Sequence, residues 1–276
     1  TSFERCGTIR LLNLLRGEGA NKPSAFASVY MTLDRPSSQR YADSAEGHFR
    51  VHYEASGYNA PSNTDGDMNG IPDFVDSTLV YLEYAWQNLL GLGYGKPKSD
   101  AGRGGSDAVD VYIQELSNQQ IYGYVSPDES RLTMSSSYMV IDNNFKENVY
   151  PTKGMDALRV TTAHEFFHML HYSYYSGDNA AWWMEHSAVW FEDHVWDDVN
   201  DYLLYIGSFL SGRDTPLDTG GNFSYSASLF AFMIAKKYGN DIIRTIWNTF
   251  RDRQDGRIDL LNSILPEGNT QTVNNL

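Results

Sequence analysis

The stretch ALRVTTAHEFFHMLHYSYY contains an HExxH sequence, in which Glu165 lies between His164 and His168. Residues i and i+4 share one face of an α-helix, so this spacing predicts a helix that presents both imidazoles to the same point. Two histidines placed in this way can bind a zinc ion while the intervening carboxylate reaches a water molecule on the metal. The alternative is an amphipathic helix whose polar residues have this spacing by chance. We therefore expect a metal-dependent hydrolase.

A catalytic zinc site needs a third protein ligand and one open coordination position. The downstream segment AAWWMEHSAVWFEDHVWDD has helical apolar periodicity and sets Glu185 among tryptophans. A carboxylate in such surroundings is costly unless it is paired or bound to a metal, which makes Glu185 the candidate ligand. The other candidates are His171, Glu192 and Asp193. His171 lies too far along the helix axis to share one ion with both histidines, and Glu192 could instead orient a ligand histidine.

These residues resemble the gluzincin metallopeptidases, in which a zinc-binding glutamate on a second helix follows HExxH. The phrase WWMEHSA is similar to the WLNEGFA phrase of aminopeptidase N-like enzymes, which places Glu185 at the ligand position and Ala188 at the small residue after it. Residues 169–184 separate His168 from Glu185, slightly fewer than is usual in those enzymes. The resemblance covers residues 155–240, and its wider setting is similar to uncharacterised secreted bacterial metallopeptidases.

The same resemblance extends to GGNFSYSASLFAFMIAKKYG and implies that Tyr225 donates a hydrogen bond to the oxyanion of a tetrahedral intermediate. The other reading of Tyr225 is a tyrosine of the core. The implied mechanism is peptide hydrolysis, in which zinc lowers the pKa of its water and Glu165 takes the proton before protonating the leaving amine. We expect an endopeptidase, because no motif for gripping a free amino terminus is evident.

A second pattern, NTDGDMNGIPDFVDS, has the ligand spacing of a calcium-binding loop, with glycine at the turn position. The predicted ligands are the side chains of Asp65, Asp67, Asn69, Asp73 and Asp76 and the backbone carbonyl of Ile71. The last ligand is Asp rather than Glu, and a strand and loop precede the pattern in place of a helix. The alternative is an acidic turn in which Asp76 or Ser77 caps the following helix, predicted over residues 77–92.

The single cysteine lies in the phrase Arg-Cys-Gly, which resembles the cysteine-switch phrase of matrix metalloproteinase propeptides. That resemblance implies that the thiolate of Cys6 fills the open zinc position and holds the enzyme latent. The alternative is a small buried apolar residue. A further acidic group in WDDVNDY, formed by Asp197, Asp198 and Asp201, has no loop spacing. We expect it to be a solvated turn rather than a cation site.

The net charge of −14 and the absence of any cluster of lysine and arginine exclude a nucleic-acid-binding surface. No apolar run approaches the length of a membrane span, and the N-terminus lacks the basic and apolar regions of a signal peptide. The chain opens without methionine, and a calcium loop suits a calcium-rich exterior. We therefore expect a secreted protein that acts on a peptide or protein substrate.

Strand-like segments precede helical ones, so the sequence predicts an α+β enzyme with an active-site cleft between the two parts. We expect an N-terminal arm or pro-segment over residues 1–46, followed by a catalytic domain over 47–276 that divides into a sheet-bearing part (47–153) and a helical part (154–276). The competing function is a calcium-stabilised extracellular binding or adhesion module on a catalytically silent scaffold. The intact Glu165 favours the enzyme, because a binding module needs no general base.

Overall fold

The computed structural model describes residues 5–16, 34–212 and 214–265. The fold is α+β, as predicted, with one five-stranded mixed sheet. The strands are β1 (Arg40–Asp43), β2 (Phe49–Tyr53), β3 (Val109–Gln114), β4 (Gly123–Pro127) and β5 (Ser137–Asp142). Their spatial order is β1-β2-β3-β5-β4. Strands β2, β3 and β5 are parallel to one another, whereas β1 and β4 run antiparallel to β2 and β5.

The α-helices of the described residues follow two patterns, long ones in the core and short ones in connections. In chain order they are α1 (Thr8–Arg16), α2 (Asp73–Gly91), α3 (Gly154–Tyr174), α4 (Ala181–Val195), α5 (Gly207–Ser211), α6 (Asn222–Ser226), α7 (Leu229–Tyr238), α8 (Asp241–Arg253) and α9 (Leu261–Ile264). No helix in the described parts of the chain is both long and apolar enough to cross a bilayer, as expected.

Alternation along the strands gives the sheet two buried faces. On β5, Met139 and Ile141 face the main core, which α2 and α3 help to build, whereas Tyr138 and Val140 face the opposite side. That second face is covered in part by α1, whose Leu11 packs there. Every residue of β5 is buried for this reason. The N-terminal helix is therefore an integral part of the packing.

The N-terminal segment also extends the sheet. The N–H of Tyr122 donates to the Arg5 carbonyl and the N–H of Gly7 donates to the Gly123 carbonyl, both at 2.9 Å. Cys6 thus forms a parallel bridge with Gly123 on the open edge of β4. Of the predicted N-terminal arm, residues 1–4 and 17–33 lie outside the described residues. Strand β1, which also falls within residues 1–46, pairs with β2.

The helix predicted after the acidic loop requires correction. The helix expected over residues 77–92 begins at Asp73 and ends at Gly91, and Pro72 occupies its N-cap position with no side-chain cap. The capping role considered for Asp76 or Ser77 is therefore wrong, because proline already has a φ suited to a helix start and Asp76 lies inside the first turn. The segment YLLYIGSFL farther along the chain lies in two short pieces, a 3-10 turn over Asp201–Leu204 and α5.

Strand β4 approaches α3 closely at Gly123. A Cβ added there would lie 2.9 Å from the carbonyl oxygen of Val140 and 3.1 Å from side-chain carbons of Thr161 and Glu165. Glycine therefore lets the sheet edge pass directly against the helix that bears the HExxH sequence.

We expect Gly123→Ala to lower the free energy of unfolding by about 1–3 kcal/mol, because the added methyl overpacks this contact. Urea denaturation measures the change. Gly95→Ala is the matched control, since a Cβ at Gly95 would meet no heavy atom within 4 Å. Equal stabilities for the two variants would contradict the close approach.

Candidate functional site

Helix α3 presents His164 and His168 on one face, and α4 brings Glu185 opposite them. The Nε2 atoms of the two histidines are 3.1 Å apart. The Oε2 of Glu185 is 3.3 Å from Nε2 of His164, and its Oε1 is 3.3 Å from Nε2 of His168. These residues are only 1% (His164), 0% (His168) and 4% (Glu185) exposed. Atoms that bear lone pairs therefore converge on one point that water does not reach.

These separations resemble the edges of a tetrahedral metal site. Nitrogen and oxygen ligands at about 2.0–2.2 Å from zinc, at tetrahedral angles, are about 3.3–3.6 Å apart. The carboxylate oxygens of Glu185 are buried, and their close neighbours in the cluster are the two histidine Nε2 atoms, which are themselves metal-binding atoms. Because a buried carboxylate is costly without a positive charge beside it, this donor set fits a bound cation.

Glu192 orients the ring of His164 through Nδ1, the nitrogen that does not face the cluster. The sequence left this role open. Its Oε2 lies 3.1 Å from Nδ1 of His164, so an Nδ1–H donated to the carboxylate directs the lone pair of Nε2 into the site. Burial alone lowers the pKa of His164, but the contacts with Glu185 and Glu192 outweigh burial and raise that pKa to about 9. A proton and a metal cation would therefore compete for Nε2 of His164.

His168 is oriented by a chain of donors that ends on α4. Its Nδ1 is 3.1 Å from Nδ1 of His171, whose Nε2 is 3.1 Å from Oγ of Ser187. The Ser187 hydroxyl donates to the Trp183 carbonyl at 2.6 Å, so it accepts from Nε2–H of His171. Burial lowers the pKa of His171 well below its usual value, so this ring is neutral. Nδ1 of His171 therefore accepts a hydrogen bond from Nδ1–H of His168. This arrangement leaves Nε2 of His168 without a hydrogen atom and facing Glu185.

Cys6 is the fourth member of the cluster. Its ligand atom and those of His164, His168 and Glu185 all lie within 4.8 Å of one another. The sulfur is also 3.5 Å from Oε2 of Glu165, and burial, followed by the charges of Glu165 and Glu185, raises its pKa well above the usual value. With protein groups alone around it, the sulfur is therefore a thiol. A dication would invert that preference.

Two further contacts of the N-terminal segment engage predicted catalytic residues. The hydroxyl of Thr8 donates to Oε2 of Glu165 at 2.9 Å and accepts from the N–H of Val125 at 2.8 Å. The hydroxyl of Tyr225 accepts from the N–H of Cys6 at 2.9 Å and donates to the Cys6 carbonyl at 3.3 Å. Both the carboxylate and the phenol are thus occupied by this segment.

Arg5 is buried beside the cluster. Its Nη1 lies 2.6 Å from Oε1 of Glu192 and 3.0 Å from Oδ2 of Asp201. Burial raises the pKa of Asp201, and the charge of Arg5 opposes that rise. The expected solvated turn is therefore wrong for Asp201, which is 3% exposed because it neutralises a buried guanidinium. Asp198, by contrast, is exposed and pairs with Arg159.

The acidic loop brings together part of its predicted ligand set. Ligand oxygens of Asp65, Asp67 and Asp73 lie within 4.8 Å of one another. The amide nitrogen of Asn69 donates to Asp67 and Asp76, while its oxygen accepts from the N–H of Ile71. Asp76 therefore joins the group through Asn69, and the amide presents nitrogen to the acids in place of the expected oxygen.

Sequence reasoning missed three contributors to the site, which are Arg5, Thr8 and Ser187. Each acts through a partner more than fifteen positions away in sequence, so no local spacing marks it. The phrase Arg-Cys-Gly was the one sequence pattern that pointed to Arg5 and its neighbour Thr8. Asp193, the remaining candidate ligand, lies outside the cluster; burial raises its pKa to about 7.

No protein-family model matches this chain, and searches of curated proteins and of solved structures likewise find no match. Function is therefore inferred from the geometry of the site.

We expect Arg5→Ala to cost about 3–5 kcal/mol of stability at neutral pH, because it leaves Glu192 and Asp201 buried without a counter-charge. An acid whose pKa is raised on folding loses stability as the pH rises from its unfolded value, about 4, through its folded value. The cost should therefore shrink on acidification.

Thermal unfolding of Arg5→Ala and the parent chain between pH 4 and pH 8 measures this effect. Arg159→Ala, which removes an exposed ion pair with Asp198, is the control and should cost no more than about 1 kcal/mol. A pH-independent cost for Arg5→Ala would argue against the buried charge pairing.

Proposed function

We propose that this protein is a zinc-dependent peptidase held latent by its own N-terminal segment. The observation that carries the proposal is the buried convergence of His164, His168, Glu185 and Cys6 on one point, with Glu165 beside it. Imidazole and thiolate together favour zinc over magnesium or calcium, which prefer oxygen ligands. Bound there, zinc would supply Lewis-acid activation of a water molecule and of the substrate carbonyl.

Glu165 is placed to act as the general base and acid. Its Oε2 is 3.5 Å from the Cys6 sulfur, so it borders the position that a water molecule would take once the sulfur departs. Departure of the segment also removes the hydrogen bond from Thr8, which leaves that carboxylate oxygen able to accept a proton. The proton can then pass to the leaving amine.

Tyr225 is the candidate oxyanion donor. In the described structure its hydroxyl already donates to a peptide carbonyl, that of Cys6, at 3.3 Å. A substrate carbonyl at the same place would receive the same hydrogen bond, which strengthens as negative charge develops on the oxygen.

A peptide is the substrate class that the edge of β4 fits best. Arg5 and Gly7 pair through their backbones with the free edge of β4, which is how an extended peptide adds to an exposed sheet edge. The same segment places a side chain at the metal-binding cluster. The N-terminal segment thus lies along β4 and across the metal-binding cluster as an extended peptide would.

Latency follows from the position of Cys6. A closed tetrahedral site with four protein ligands is structural, whereas a catalytic site keeps one position open. Displacement of the sulfur would convert the first arrangement into the second. The clustering of Asp65, Asp67 and Asp73 supports a separate, structural calcium site that fixes the start of α2, and such a site suits a secreted enzyme.

We expect Glu165→Gln to abolish peptide hydrolysis by the activated protein, at least 100-fold, while zinc content and the unfolding temperature change little. Asp156→Asn, on the exposed first turn of the same helix, is the control and should keep full activity. Hydrolysis by Glu165→Gln at the parental rate would rule out this mechanism. Absence of hydrolysis by every form, with zinc bound, would favour the binding-module alternative.

We expect Cys6→Ala in the full chain to raise peptidase activity by at least 10-fold, because the coordination position opens even though the segment still lines the cleft. Leu14→Ala, at an exposed position of α1, is the matched control and should stay latent. Initial rates on a mixed peptide library measure both. Equal rates for Cys6→Ala and the parent would contradict the switch.

We expect calcium, added to ion-depleted protein whose zinc has been restored, to raise the unfolding temperature. Calcium at 100 times its dissociation constant stabilises the folded state by about 2.7 kcal/mol. The double variant Asp65→Asn/Asp67→Asn should lose the shift, whereas Asp252→Asn, at an exposed site elsewhere, should keep it. A shift that survives in the double variant would place the calcium elsewhere.

A further inference from the structure

Arg5 fills a pocket that belongs to the body of the protein. We call it the Arg5 pocket and define it by the carboxylates of Glu192 and Asp201 and the ring of Tyr122. Nη1 of Arg5 contacts both carboxylates, at 2.6 Å and 3.0 Å, and its guanidinium carbon lies 5.7 Å from the centre of the Tyr122 ring. The guanidinium is 2% exposed. Two carboxylates and one face of an aromatic ring thus surround the guanidinium of Arg5.

The pocket lies next to the reaction centre. Arg5 immediately precedes Cys6, whose sulfur is in the metal-binding cluster, and its carbonyl accepts from the N–H of Tyr122. One wall, Glu192, also holds the ligand His164. A peptide laid along the same edge of β4 would therefore place a side chain in this pocket one residue from the reacting carbonyl.

Departure of the N-terminal segment would leave the pocket without its cation. Glu192 comes from α4 and Asp201 from the 3-10 turn Asp201–Leu204, so both carboxylates stay in place. The Thr152 hydroxyl donates to the other oxygen of Asp201 and fixes its orientation. Buried carboxylates without a counter-charge are strongly unfavourable, so an incoming cation is the natural complement.

A guanidinium suits this pocket better than an ammonium. It is planar, less strongly hydrated than an ammonium, and can bond two carboxylates while it lies near an aromatic ring. We propose that the Arg5 pocket is the specificity pocket of the peptidase, and that its substrates carry arginine one residue before the residue whose carbonyl is attacked. This inference rests on the proposed function and deepens it by naming the substrate class.

The first test uses the full chain with Arg5→Ala/Cys6→Ala, which vacates both the pocket and the coordination position. Its substrates are matched peptides that carry either arginine or citrulline at each of the two positions on either side of the cleaved bond. Citrulline keeps the shape and removes the charge. We expect kcat/KM to be at least 10-fold higher for arginine at the second position before the bond, since a buried charge-assisted contact discriminates strongly.

Adding Asp201→Asn to that variant should bring the ratio of arginine to citrulline cleavage towards one. The variant should fold, because it removes a charge that Arg5→Ala has left unpaired. Adding Asp198→Asn instead is the control and should leave the ratio unchanged, since Asp198 is exposed and pairs with Arg159.

A second readout needs no turnover. Methylguanidinium at low millimolar concentration should raise the unfolding temperature of the Arg5→Ala full chain by filling the emptied pocket, and it should fail to do so after Asp201→Asn is added. Methylammonium at the same concentration should give a smaller shift.

Cleavage without discrimination between arginine and citrulline would overturn the specificity inference and leave the proposed peptidase standing. Cleavage of no peptide by any zinc-loaded form would overturn the proposed function and this inference with it. Discrimination together with a methylguanidinium shift that depends on Asp201 would support both.

Discussion

The interaction on which the rest of the structure depends is the convergence of two imidazole nitrogens and a carboxylate, 3.1–3.3 Å apart, at a point closed to water. Groups that all offer lone pairs do not remain together in a dry site without a cation or proton between them. Much of the surrounding fold holds them there. Helices α3 and α4 pack side by side, Gly123 lets the sheet edge touch α3, and Glu192 and Ser187 fix the two rings.

The N-terminal segment completes this centre. Over four residues it supplies a sulfur to the cluster, a hydroxyl to Glu165 and a guanidinium to two buried carboxylates. It also adds a strand-like edge and covers one face of the sheet with α1. The same contacts that stabilise the fold therefore occupy every functional group of the proposed active site. In the proposed function, activity therefore requires that the sulfur of Cys6 leave the metal-binding cluster.

Local patterns in the sequence predicted those parts of the site that depend on spacing within a single helix. The spacing of His164 and His168 dictates a shared face, and apolar periodicity around Glu185 marks a buried carboxylate; strand-rich and helix-rich segments also gave the α+β class. Contacts between distant segments were beyond such patterns. Asp201 looked like a surface acid until its partner, Arg5, was placed beside it, and Asp73 rather than a capping serine begins α2 because Pro72 precedes it.

The most direct test of the central claim is the zinc-edge X-ray absorption spectrum of the purified full chain. A site formed by His164, His168, Glu185 and Cys6 predicts one sulfur neighbour at about 2.3 Å and three nitrogen or oxygen neighbours at about 2.0–2.2 Å. The sulfur shell should vanish in Cys6→Ala while the zinc remains. Failure to bind zinc, or a spectrum without sulfur in the parent chain, would contradict this account.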